Sequence, residues 1–134
     1  MQPIVPRLLP FLAAVAVLAG CGSIEKDKKA NALEAAVTRY GAAIRWGYYE
    51  VAFGLVHPDK REAIPTGLDN IRVTGYEVVQ PPQQVDENTA DQVVIVDYLH
   101  EDVQRVRSLT DRQHWRYEPA TGTWWLYSGI PRFK

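Results

Sequence analysis

The hydrophobic positions of this chain change from a helical spacing in its first half to a strand spacing in its second half. Apolar residues recur at steps of three, four and seven, which predicts one long amphipathic helix over residues 29–57. The apolar stripe of this helix consists of Leu33, Val37, Tyr40, Ile44, Val51 and Leu55. Gly41 and Gly47 lower helix propensity, so we expect close packing or a bend near Trp46.

Four strands are predicted after the helix. The first begins at Ile71, has a β-bulge at Gly75 where the alternation changes phase, and ends at Pro81-Pro82. The others are expected at residues 91–99, 103–118 and 123–128. The continuous apolar centre of the second strand indicates a central strand covered on both faces. The sequence therefore predicts an α+β fold, in which one long helix packs against a curved four-stranded antiparallel sheet.

The last predicted hairpin divides its aromatic side chains between the two faces of the sheet. If Glu118 pairs with Thr123 across the loop 119–122, strand alternation fixes the face of each neighbour. The helix side then carries Trp115, Tyr117, Trp124 and Leu126. The opposite side carries Trp125, Tyr127, Arg116, His114 and Arg112. Trp, Tyr and Arg are enriched at interfaces, so this second set is a candidate interface; self-covered packing of its two aromatics is the alternative.

The N-terminal segment precedes the predicted domain and has a different pattern. An apolar run over residues 8–19 follows the single basic residue Arg7 and is shorter than the roughly 20 residues of a transmembrane helix. The run ends in Leu18, Ala19, Gly20 and Cys21. This motif resembles the lipobox of bacterial lipoproteins, in which the preceding peptide is cleaved and the cysteine is lipidated. The alternative is an ordinary signal peptide followed by a buried free thiol.

The lipobox resemblance implies a location and a domain organisation. It divides the chain into a signal peptide at 1–20, lipidated Cys21 with a short polar tether at 21–28, and a single domain at 29–134. Gly22 follows the lipidated cysteine, whereas Asp at that place often retains such proteins in the inner membrane. We therefore expect the periplasmic face of the outer membrane, with the inner membrane as the alternative. Fully extended, the seven tether residues after Cys21 reach only about 25 Å.

Composition excludes several classes of function. The chain has 134 residues, 15 of them basic and 16 acidic, and this near-neutral balance argues against nucleic-acid binding. A lone cysteine allows no intramolecular disulfide, and His57, His100 and His114 show no metal-ligand spacing. We expect no metal and no cofactor. The expected partners are the membrane, through the lipid, and a second copy of the chain or another envelope protein.

The order of elements resembles the cystatin-like and nuclear-transport-factor-2-like folds, in which a curved sheet surrounds a helix. Residues 43–47, 110–117 and 124–126 are also similar to a family of small proteobacterial lipoproteins of unassigned function. The resemblance covers nearly the whole predicted mature chain, and its motifs are apolar and structural. It implies an outer sheet face that can mediate dimerisation, and it supplies no catalytic residues.

Polar residues inside such a fold could bind a small molecule. Arg45, Asp97 and Gln113 are the candidate pocket residues of this alternative function. An Asp–His pair could abstract a proton, but Asp111 and His114 are three residues apart and point to opposite faces of a regular strand. The sequence contains no nucleophile elbow and no glycine-rich phosphate loop. We therefore predict a protein that acts by binding, not by catalysis.

Overall fold

The computed structural model describes residues 3–4, 16–61 and 65–134, with side chains of the first helix described from Gly22 onward. The predicted lipobox at residues 18–21 therefore lies outside the described side chains. The helices are α1 (Ala16–Trp46) and α2 (Tyr49–Leu55), followed by single 3₁₀ turns at Pro58–Lys60 and Leu68–Asn70. The strands are β1 (Ile71–Asp86), β2 (Thr89–His100), β3 (Val106–Glu118) and β4 (Thr123–Leu126).

The predicted long helix is divided into two at Gly47, which confirms the bend expected near Trp46. Gly47 adopts a φ of 76°, a left-handed conformation that favours glycine. Its N–H donates to the carbonyl of Ile44, and the N–H of Tyr48 donates to the carbonyl of Ala43 at 2.8 Å, which is the Schellman arrangement that ends a helix. The single helix predicted to residue 57 is therefore wrong beyond Trp46.

Helix α1 begins earlier than predicted and includes the segment expected to be an extended tether. Residues 22–28 are helical and exposed, so they span about 10 Å and not about 25 Å. Glu25, Lys26 and Lys28 of this segment are good helix formers. The contacts with the sheet begin at Lys29, whose carbonyl accepts from Trp124 Nε1 at 3.0 Å and whose Nζ donates to Asn88 at 2.9 Å.

The four strands form one antiparallel sheet in the order β1-β2-β3-β4, so β1 and β4 are its edges. A register shift confirms the bulge predicted at Gly75. The predicted end of β1 at Pro81-Pro82 is wrong, because the strand continues to Asp86. The two prolines lie in a further irregularity between Gln80 and Gln83, on an edge strand where their missing N–H groups are tolerated.

The hydrophobic core lies between α1 and one face of the sheet. The fully buried core side chains include Tyr40, Ile44, Val56, Val94, Val96, Trp115 and Leu126. The predicted hairpin register is confirmed, because Trp115 pairs with Leu126 and Glu118 pairs with Thr123. Val93 and Ile95, by contrast, are only half-buried on the other face of β2. The expectation that this strand is covered on both faces is therefore wrong for the part of the chain that the structure describes.

Candidate functional site

The outer face of the sheet, which is the face opposite α1, carries all five side chains of the predicted interface. Arg112, His114 and Arg116 alternate along β3, and Trp125 is paired with Arg116 across the β3–β4 hairpin. Tyr127 follows β4, and its N–H donates to the carbonyl of His114 at 2.8 Å. Strand alternation and the short loop before β4 bring these residues together, as the sequence predicts.

The two aromatic residues of this face are partly covered by the chain itself. The His57 ring stacks on Tyr127 at 4.7 Å between centroids and meets the edge of Trp125 at 5.6 Å. The N–H of His57 donates to the carbonyl of Leu126 at 3.0 Å, which holds this residue beside β4. Arg116 lies 4.6 Å above the Tyr127 ring. Trp125 and Tyr127 are therefore half-buried, and they form one end of the outer face.

An aspartate–histidine pair lies next to these aromatics and was not expected from the sequence. His114 Nδ1 is 2.6 Å from Asp91 Oδ1, because the two residues are directly opposite each other on β3 and β2. On the other side of the ring, Arg116 Nε lies 3.5 Å from His114 Nε2. Both side chains are substantially exposed, at 39% for His114 and 48% for Asp91. Such a pair orients the histidine on a surface.

Charged residues on the outer face are arranged by strand. The basic residues Arg112 and Arg116 lie on β3, together with Glu118 at the end of the strand, which accepts from Trp125 Nε1 at 2.8 Å; the other acidic residues lie on β2 and β1. These acidic residues are Asp91 and Asp97 of β2 and Glu77 of β1. Half-buried Val93 and Ile95 lie between them, and the His57 segment packs over one end of this face. The outer face therefore has an apolar centre, a basic row and an acidic row.

The inner face contains a polar network centred on Gln113. The Gln113 amide nitrogen donates to Tyr76 and to Asp111, both at 2.9 Å. Its oxygen accepts from Gln92 at 3.0 Å and from the Trp115 indole at 3.1 Å. These four bonds use the whole hydrogen-bonding capacity of the amide, which is why Gln113 can be buried at 2% exposure. Gln113 is therefore a structural centre of the core.

Burial of this network changes the protonation of its members. Desolvation raises the pKa of Asp111 to about 6, although the hydrogen bond from Gln113 acts in the opposite direction. Desolvation also raises the pKa of Tyr76 to about 12. The pKa of Tyr40 is raised by its complete burial and then by the charge of Asp111. The Tyr40 hydroxyl has no hydrogen-bond partner among the described residues, so the cost of its burial is not offset by a hydrogen bond.

The predicted pocket of Arg45, Asp97 and Gln113 is not formed. Asp97 points to the outer face, where it accepts a hydrogen bond from Ser108, because it is one residue out of phase with buried Val96. Arg45 lies at the end of α1, donates to the carbonyl of Val73 at 2.9 Å and covers the Trp46 ring. Gln113 is enclosed in the network described above. The three residues therefore belong to three different environments.

The remaining sequence predictions concern metals, membranes and relatives. Among the described residues, no group of three or more His, Cys, Asp or Glu side chains could hold a metal ion. None of the helices in the described ranges combines the length and apolar character that a membrane span requires. The chain matches no protein-family model, no curated protein and no solved structure.

Proposed function

We propose that this chain is a lipid-anchored protein of the bacterial cell envelope that acts by binding and forms a homodimer through its outer sheet face. The lipobox motif at residues 18–21 supports the anchor and the periplasmic face of the outer membrane. The order of one long helix and four antiparallel strands supports the resemblance to cystatin-like and nuclear-transport-factor-2-like domains. Such domains commonly present their outer face to a partner.

The arrangement of charge on the outer face is the observation that carries the dimer proposal. A two-fold axis parallel to the strands, lying between β2 and β3, sets β3 of one copy above β2 of the other. Because Asp91 pairs with His114 in the sheet, Asp91 of each copy then lies opposite His114 of the other, between Arg112 and Arg116, and Val93 and Ile95 of both copies lie beside the axis. Residues of opposite charge from the two copies would meet on both sides of the two-fold axis, so the outer face is complementary to itself.

Charge reversal tests this arrangement without removing the aromatic residues that pack within one chain. The mature chain is purified in detergent, and its mass is measured by light scattering over a concentration series. Arg112→Glu with Arg116→Glu should give a monomer, and so should Asp91→Lys, because Asp91 lies between the two arginines of the other copy in this arrangement. Mixing the two variants should restore a dimer, because the unlike rows again oppose each other.

A matched control changes the same amount of charge elsewhere. Lys28→Glu with Arg39→Glu alters two exposed residues of α1 and should leave the dimer intact. A wild-type chain that is monomeric at every concentration would refute the dimer proposal. So would two charge-reversed variants that stay dimeric, or that fail to associate with each other when mixed.

The membrane anchor is tested separately. Mass spectrometry of the purified protein should show an acylated N-terminal cysteine at position 21, and Cys21→Ser should abolish both cleavage and acylation. Density-gradient fractionation should recover the wild-type chain with the outer membrane. An unmodified thiol at Cys21, or recovery with the inner membrane, would contradict the corresponding part of the proposal.

A further inference from the structure

A groove of about 540 Å³ runs between α1 and the second half of β1, on the side of the sheet away from the proposed dimer face. Its helix wall is one stripe of α1, and its strand wall includes Val78 and the two prolines of β1. Gly41 permits this geometry, because a Cβ at that position would lie only 2.9 Å from the Tyr76 ring. The close contact between Gly41 and Tyr76 forms the floor, and Gln92 lies beside it.

The two ends of the groove carry opposite charges. Glu34 lies at one end and Arg45 at the other, and both belong to the same stripe of α1. Eleven residues separate them in the helix, which corresponds to about 17 Å. The Arg45 guanidinium is held in place by the Val73 carbonyl and by the ring of Trp46, at 4.4 Å from the ring centroid. Trp46 itself is 65% exposed, so it extends the apolar surface at this end.

The walls and the floor differ in the groups that they offer. Val78 and the prolines provide apolar surface, and half-buried Tyr76 provides a hydroxyl, whereas Val37 and Gln92 lie beneath them with only 6% and 2% exposure. Tyr76 accepts a hydrogen bond from Gln113, which leaves its own proton for another acceptor. A groove with apolar sides, a hydrogen-bonding group on the floor and opposite charges at its ends matches an extended peptide with small apolar side chains.

We propose that this groove binds a short extended peptide of about five residues, with its amino group near Glu34 and its carboxylate near Arg45. An extended chain rises about 3.4 Å per residue, so five residues cover the distance between the two charges. Arg is the residue best suited to a carboxylate, because its planar guanidinium donates two parallel hydrogen bonds. The groove and the dimer face use different residues, so this proposal does not depend on the proposed homodimer.

The test uses the detergent-solubilised mature chain and an alanine–leucine pentapeptide with free termini, measured by isothermal titration calorimetry. Amidation of the peptide carboxylate should weaken binding about tenfold, because it removes the charge opposite Arg45. Acetylation of the amino terminus should weaken binding by up to about fivefold, because Glu34 is exposed and screened by solvent. A three-residue peptide should bind less tightly than five residues, because it cannot reach both charges.

Variants of exposed groove residues distinguish specific binding from a general affinity for peptides. Thr38→Trp fills the groove from an exposed position of α1 and should abolish binding. Glu34→Gln should remove the effect of acetylation while keeping the effect of amidation. Arg39→Trp, on a different part of α1, is the matched control and should bind as the wild type does. Equal binding to wild type and Thr38→Trp, or no binding of any peptide from three to eight residues at millimolar concentration, would overturn the proposal.

Discussion

Asp111 should make the stability of the domain depend on pH, because burial in the Gln113 network opposes its ionisation. Asp111 is only 7% exposed, and the pKa of its carboxyl group is raised from an ordinary value of 3.8 to about 6. A difference of about two pKa units corresponds to about 3 kcal/mol between the two protonation states. The folded state binds the proton more tightly than the unfolded state, so the stabilising contribution is present below the unfolded pKa of about 3.8 and is lost as the pH rises through about 6.

Asp111→Asn removes the charge and keeps an oxygen that accepts from Gln113. Urea unfolding of the wild type and the variant at pH values from 3.5 to 8 gives the difference between their free energies of unfolding. We expect the variant to gain about 3 kcal/mol relative to the wild type as the pH rises from 3.5 to 8, most of it between pH 4 and pH 7. The difference cancels the contributions of other titrating groups, because these groups are the same in both proteins.

The result that refutes this reasoning is a free-energy difference that does not vary with pH. A difference that changes in the opposite direction would also refute it, because it would mean that the folded state favours the ionised form of Asp111. Tyr40→Phe is the control, since it alters the same cluster and keeps the carboxyl group. Its pH dependence should follow that of the wild type.

Three further substitutions test the hydrogen bonds and aromatic contacts through the free energy of unfolding at pH 7. Gln113→Leu should cost about 3–5 kcal/mol, because it leaves the buried polar groups of Gln92, Asp111 and Trp115 without their hydrogen-bond partner. A cost below 1 kcal/mol would contradict the network. Tyr40→Phe should be neutral or stabilising by about 1 kcal/mol, because its hydroxyl has no partner; a large loss would mean that the hydroxyl is satisfied. Trp125→Ala should cost about 1–3 kcal/mol, because it removes the contact with His57; an unchanged stability would show that the contact is negligible.

The C-terminal hairpin could be predicted in detail because its register depends only on neighbouring residues. Pro119 and Gly122 mark a four-residue loop, so the pairing of Glu118 with Thr123 fixes every residue that follows. The same local reasoning located the bulge at Gly75 and the bend at Gly47. It failed at Pro81 because proline is compatible with a strand at the edge of a sheet, and edge position is a property of the whole fold.

The buried network and the aspartate–histidine pair could not be predicted from local patterns. Both depend on the register between β2 and β3, which is fixed by the turn after His100, where Gln104 adopts a φ of 55°. No Asn-Gly or Asp-Gly pair marks this turn. Gln92 and Gln113 therefore look like ordinary polar strand residues until the strands are aligned, although their phase relative to Val94 and Trp115 already indicated the inner face.

The helical segment before Lys29 sets both the orientation of the domain relative to residue 22 and its distance from that residue. Residues 22–28 continue directly into α1, so the direction of the sheet relative to residue 22 is set by helical phase. Inserting one residue there would rotate the domain by about 100° and move it by about 1.5 Å. Inserting seven would add about two turns and restore nearly the original direction. If the chain is held at Cys21, this segment is a helical spacer that determines whether the outer sheet face or the groove side of the domain is presented to a neighbour.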